Sequence, residues 1–220
     1  ASVIGSTVGG GLLNNASGNY STISGGDTHT ASGIYSSVGG GYGNTASGGA
    51  SVVTGGRGNT ASFYSTTING GRDNTAAAVY GTVGGGFSND VLALGEYGTI
   101  SGGRNNSVNG EASTVAGGRD NNTTANYSTI SGGYNSAASG VYSTVGGGRS
   151  HTASGISSTV GGGRANTATN TYATSSGGYD NTAQGLSSTI SGGRNNNVLG
   201  SYSVVGGGSY NSVSYTHLTL

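Results

Sequence analysis

A Gly-Gly pair recurs every fifteen residues, from Gly10-Gly11 to Gly207-Gly208, and fixes the phase of the chain. Counting from Ser6, the first coils read STVGGGLLNNASGNY, STISGGDTHTASGIY and SSVGGGYGNTASGGA, and the pattern holds through fourteen coils with one interruption. The pair occupies positions five and six of every coil. Gly adopts positive φ without steric cost, so glycines in constant phase mark a corner where the backbone turns sharply or meets neighbouring backbone. Linker glycine would show no phase. The interruption lies in residues 81–97, GTVGGGFSNDVLALGEY, which hold two extra residues, and a bulge or loop is expected there.

Two further columns define an interior. Position three is Val or Ile in thirteen of the fourteen coils, including Val8, Ile23, Val38, Ile100, Val145 and Ile190, with Ser175 the exception. The preceding residues, as in Tyr142-Ser143-Thr144-Val145, are rich in β-formers and too few for a helix. They predict a strand of about four or five residues with Val145 and Ser143 facing inward and Thr144 and Tyr142 facing outward. Position eleven is Ala or Val in every coil except that of Thr123, which predicts a second short strand and a thin core. Position nine is Asn in eleven coils, such as Asn44, Asn59, Asn74, Asn166 and Asn181, with His29, Ser136 and His151 in the others. Stacked Asn side chains can hydrogen-bond from coil to coil and satisfy turn backbone, so this column is expected to form an Asn ladder.

Composition alone would point elsewhere. With 49 Gly, 31% hydrophobic residues and 6% charged ones, a shuffled version of this chain would bury too little apolar surface to offset its backbone entropy. The periodic order changes that outcome, because each coil can bury its apolar side against its neighbours. The sequence therefore predicts an all-β fold, a β-solenoid of about fourteen coils in a single repeat domain spanning residues 1–213. At the β-strand spacing, such a stack would form a rod roughly 65 to 70 Å long. Residues 214–220, SYTHLTL, abandon the repeat and are a candidate translation artefact. In that case the last coil would offer an unpaired edge of the kind native solenoids cover.

Seven basic residues, all Arg, balance seven acidic ones, and no Lys-rich tract is present, which argues against a nucleic-acid partner. The absence of Cys removes disulfides and the common zinc sites. No apolar run is long enough to span a bilayer, and Ala1 follows neither an initiator Met nor a signal segment, so the chain reads as a fragment of a longer one.

The segment Ser143 to Gly155, STVGGGRSHTASG, resembles the head repeats of bacterial trimeric autotransporter adhesins, which follow roughly S-x-A-I-G-x-x-S-x-A-x-G. The resemblance covers essentially residues 1–213, although the family repeat is one residue shorter and lacks one Gly of the corner. It implies a left-handed parallel β-roll, a homotrimer, attachment to a host surface protein or glycan, and an extracellular or cell-surface location. The same repeat type resembles segments of phage-like tail-fibre proteins, which would place it on a virion surface.

All seven Arg stand at position seven: Arg57, Arg72, Arg104, Arg119, Arg149, Arg164 and Arg194. Tyr42, Phe87, Tyr134 and Tyr179 share the column. Cations interleaved with rings suit anionic or saccharide ligands through charge-assisted hydrogen bonds and cation–π contact. The same stripe could serve as a solubilising edge or a subunit contact, pairing with Asp73 and Asp120. A second column of Thr at position two, including Thr99, Thr114, Thr129, Thr144, Thr159, Thr174 and Thr189, resembles the ice-binding face of insect antifreeze β-helices. Those proteins use two Thr columns, whereas here the partner across the core residue is usually Gly or Ser, and Tyr residues flank the column.

Calcium, a cofactor and catalysis find no support. Asp73, Asp120 and Asp180 follow the Gly corner in non-adjacent coils, and Asp90 and Glu96 in the longer coil read as a solvated loop. His29, His151 and His217 lie far apart, and no two carboxylates are spaced for acid–base work on one face. The expectation is a non-enzymatic adhesive rod, with a tail-fibre shaft and an ice-binding solenoid as alternatives.

Overall fold

In a computed structural model, which describes residues 3–214, the chain is all-β, with no helix among the described residues, and forms a β-solenoid of fourteen parallel coils. It comprises two compact units, residues 1–112 and 113–220, each holding seven of those coils. The tail from residue 215 onward lies outside the described residues.

Each coil contributes two short parallel strands, as in Thr144–Val145 and Thr152–Ala153. The first wall pairs Thr129 with Thr144 and Thr159, and Ile130 with Val145 and Val160. In the second wall, Thr152 pairs with Thr167 and Ala153 with Ala168. Partners lie one repeat apart, so the sequence period and the strand register are the same quantity. A third, single-residue parallel ladder runs through position seven, linking for example Tyr134 to Arg149 and Arg149 to Arg164.

The strands hold only two residues each, shorter than the four or five expected from sequence. Tyr142, placed there in the strand, instead has φ 59° and forms a left-handed corner. The same position is left-handed at Tyr20, Tyr35, Tyr80, Tyr97, Tyr127, Tyr172 and Tyr202. A bulky residue in this region costs on the order of 1 kcal/mol or more. Stacking along the column offsets part of that cost: the Tyr20 and Tyr35 rings lie 5.1 Å apart at 9°, and Tyr127 and Tyr142 5.1 Å apart at 11°.

The interior is narrow and consists of the predicted columns. Ile23, Ile68, Ile100, Ile130 and Ile190 are fully buried, as are Ala31, Ala46, Ala153 and Val198 on the opposing wall. Ser143 is buried beside Val145, and Thr144 lies half-exposed on the outer face, in agreement with strand alternation. Ser175 interrupts the aliphatic column between Val160 and Ile190, and its buried hydroxyl has no hydrogen-bond partner. Ser175→Val should therefore raise stability by about 1–2 kcal/mol, since it removes an unsatisfied polar group and adds buried carbon. An unchanged or lower urea midpoint would show that the column there is too tight for one more methyl-sized group.

The Asn column forms the expected ladder, and its geometry closes the Gly corner. Asn59 donates from Nδ2 to the carbonyl of Gly55 at 2.9 Å and to that of Gly71, in the next coil, at 3.1 Å. Its Oδ1 accepts the backbone N–H of Asn74 at 3.0 Å. The same three bonds recur at Asn44, Asn74 and Asn166's neighbour Asn181.

His151 reproduces the pattern with an imidazole. Its Nδ1 accepts the N–H of Asn166 at 3.1 Å and its Nε2 faces the Gly163 carbonyl at 3.0 Å, which requires the neutral ring protonated on Nε2. Burial pushes its pKa below the ordinary value of 6.5, with the Gly163 carbonyl partly opposing that shift. A proton therefore binds the unfolded state first. The contribution of this group is complete above pH 6.5 and declines as pH falls from there toward the lower folded-state pKa. The urea midpoint of His151→Asn should lose less than that of the parent between pH 7 and about pH 5; parallel profiles would contradict a neutral, bonded imidazole.

The two additional residues of the longer coil are confined to one corner. Leu92 to Gly95 form a tight turn closed by a 2.8 Å bond from the Gly95 N–H to the Leu92 carbonyl, with Leu94 projecting into solvent. Both walls continue in register across it, pairing Thr82 with Thr99 and Val91 with Val108.

Candidate functional site: the outer columns

Position seven places side chains on the outside of the third ladder. The backbone N–H groups of Arg149 and Arg164 donate to the carbonyls of Gly163 and Gly178 at 3.0 and 2.9 Å, which fixes the spacing of the column. The guanidinium groups settle on neighbouring rings. In the second unit, Tyr134 lies between Arg119 at 4.4 Å and Arg149 at 5.6 Å, and Tyr179 between Arg164 at 5.5 Å and Arg194 at 5.4 Å. In the first unit, Phe87 is flanked by Arg72 at 5.1 Å and Arg104 at 5.6 Å, and Arg57 lies over Tyr42 at 5.5 Å.

Two of these cations carry an acid: Arg72 meets Asp73 at 3.0 Å and Arg119 meets Asp120 at 3.3 Å. Both pairs are about half exposed and contribute little to stability. Arg149 and Arg164 are consecutive in the ladder, and among the described residues neither has a carboxylate within ion-pair distance. Each lies over a different ring, Arg149 over Tyr134 and Arg164 over Tyr179, so the two guanidinium groups lean in opposite directions along the column.

The Thr column also lies as expected on the outer face of the first wall. Thr114, Thr129, Thr144, Thr159, Thr174 and Thr189 run in consecutive coils of the second unit, and Thr99 continues the line of Thr67 and Thr82 in the first. A second Thr column, which the strand assignment from sequence missed, stands at position ten on the other wall. Thr30, Thr45, Thr60 and Thr75 are in register there, and Ser32, Ser47 and Ser62 follow two residues later on the same face. The signal was present in the repeated Thr-Ala-Ser triplet, whose central Ala points inward.

The acidic residues following the Gly corner occupy a left-handed position: Asp73, Asp120 and Asp180 have φ of 55°, 58° and 55°. Asn and Asp tolerate this conformation better than most residues, which explains their placement by backbone geometry. Asp90, read from sequence as part of a solvated loop, belongs to the second-wall strand Asp90–Val91, where partial burial raises its pKa and a hydrogen bond with Thr75 opposes the rise. Glu96 lies beside Tyr97, whose pKa it raises by its charge. His29 and His151 are ladder members facing the interior, and His217 lies outside the described residues. No helix among the described residues is long and apolar enough to cross a membrane.

Comparison with models of known protein families finds no match, and neither does comparison with curated proteins.

Proposed function

We propose that this solenoid is a non-catalytic display surface for attachment, with the Arg–aromatic column of position seven as its adhesive face and anionic polymers of a cell or host surface as its ligand. The observation that carries this reading is the Arg149–Arg164 pair, adjacent and without a carboxylate partner among the described residues, with each guanidinium oriented by a ring. Planar guanidinium groups bind sulfate and carboxylate groups in a bidentate manner, and repetition along the column adds weak contacts into avidity. The resemblance to adhesin heads supports the further proposals of a homotrimer and an extracellular or cell-surface location. A tail-fibre shaft would use the same face on a virion.

The test is binding to an immobilised sulfated polysaccharide such as heparin. Arg149→Ala with Arg164→Ala should weaken retention at least tenfold at low salt, and the parent's affinity should fall as ionic strength rises. Equal retention of parent and double variant would reject the site. A second reading, ice binding, is favoured by the Thr-Ala-Ser columns of the second wall, where Thr45 and Ser47 stand on the outer face on either side of the buried Ala46. Inhibition of ice recrystallisation by the parent that is lost in Thr45→Tyr would select it.

A further inference from the structure

The Tyr corner column has a gap. Tyr20 and Tyr35 stack at 5.1 Å, and Tyr80 and Tyr97 at 5.0 Å, but the coil after Tyr35 places Ala50 in the column. Ala50 keeps the left-handed corner, with φ 55°, so the backbone there is the backbone of a Tyr coil and only the ring is missing. Tyr64, one position earlier in the following coil, lies against Gly49 and meets Tyr80 edge-on at 84°. Between the Tyr35 and Tyr64 rings is an open cleft of about 440 Å³, with Ile34, Gly49 and Ala50 along its floor and Ser47 at its edge.

We propose that this cleft binds one neutral hexopyranose ring through its C–H face. Ring spacing in the intact column shows that one slot accommodates one flat six-membered ring stacked on Tyr35. The cleft volume falls within the range of small-ligand sites. No charged side chain lines it, which favours an uncharged ligand and separates this site from the Arg column. The lining is mainly apolar, and Tyr35, Tyr64 and Ser47 within it each carry a hydroxyl group, a combination suited to a ring with a hydrocarbon face and a hydroxylated edge. Gly49 is part of the recognition: a Cβ there would lie 3.3 Å from the Tyr64 ring and displace that wall.

Saturation-transfer NMR with methyl glucoside, methyl galactoside and methyl mannoside, each presented to the full chain, tests the assignment. At least one should receive saturation through its ring C–H protons, with millimolar affinity. Tyr35→Ala should reduce that affinity at least fivefold. Ala50→Tyr should abolish it while preserving the thermal midpoint, because Tyr occupies the same corner in neighbouring coils. Heparin retention should be unchanged in Ala50→Tyr, so failure here is distinguishable from failure of the Arg face. Absence of saturation for all three glycosides, or Ala50→Tyr binding as the parent does, overturns the proposal. Equal occupancy of the cleft by benzyl alcohol in competition with the sugars overturns the saccharide assignment.

Discussion

Gly56→Ala is expected to destabilise the protein by roughly 3–5 kcal/mol, whereas Gly55→Ala, one residue earlier in an equally invariant column, should change stability by no more than about 1 kcal/mol. The two glycines look equivalent in sequence and differ in physical role. Gly56 has φ 91°, and a Cβ there would overlap the Gly71 carbonyl oxygen of the next coil and lie 2.6 Å from Asn59 Nδ2. Both the left-handed backbone and the coil-to-coil approach forbid a side chain. At Gly55 a Cβ would meet nothing closer than the Gly40 carbonyl at 3.9 Å, and φ lies outside the left-handed region. Urea midpoints of the two variants, measured side by side, decide the matter. Similar losses would mean that the pair acts as one flexible joint, which the close approach of Gly56 to Gly71 contradicts.

Asn59→Leu should cost about 3–5 kcal/mol, and Asn59→His less than half as much. The leucine variant leaves the Asn74 N–H and the Gly55 carbonyl without the partners they have now, and each buried group so orphaned costs about 1–3 kcal/mol. The Gly71 carbonyl is less affected, because it also accepts the Arg57 N–H at 2.9 Å. Histidine can restore the acceptor: His29 and His151 present Nδ1 to the following N–H at 3.0 and 3.1 Å. His29 also shows the limit of the replacement, since its buried Nε2 finds no hydrogen-bond partner. Thermal denaturation at pH 8, where the imidazole is neutral, gives the comparison. Equal losses for Leu and His would mean that the column fills space and does not bond the coils.

Much of this architecture can be read from one feature, the period. Because parallel coils stack in register, the spacing of Gly56 and Gly71 in sequence is also their spacing by one coil in space. The inward columns of Val145 and Ala153 follow from alternation, and the Asn ladder follows from identical amides at identical phase. The Tyr corner was not legible for a physical reason. Tyr favours extended backbone, and its left-handed conformation at Tyr142 goes with a coil-to-coil backbone bond, from its N–H to the Asn126 carbonyl at 3.2 Å, that Ala50 also makes to Ile34 without a ring. The position-seven ladder was missed as a strand because a single bridging residue leaves no alternation to detect. For the outer face, the sequence showed where Arg149 and Arg164 stand but not that each leans toward a separate ring. The cleft at Ala50 depends on the absence of one side chain from a column, and is visible only once that column is known to be a stack of rings.

The turn from Leu92 to Gly95 bears on how such a chain can change over generations. Two residues were accommodated there without loss of register on either side, because they enter at a corner and leave both walls and the Asn ladder continuous. A gene with this repeat can thus gain or lose sequence by two routes with different consequences. Duplication or deletion of a complete forty-five-nucleotide segment preserves every ladder and alters only the copy number, while an insertion of any other length survives only at such a corner. The Leu92–Gly95 turn marks where a foreign peptide could be grafted for display, and a graft of equal size at the Gly55–Gly56 corner would separate neighbouring coils.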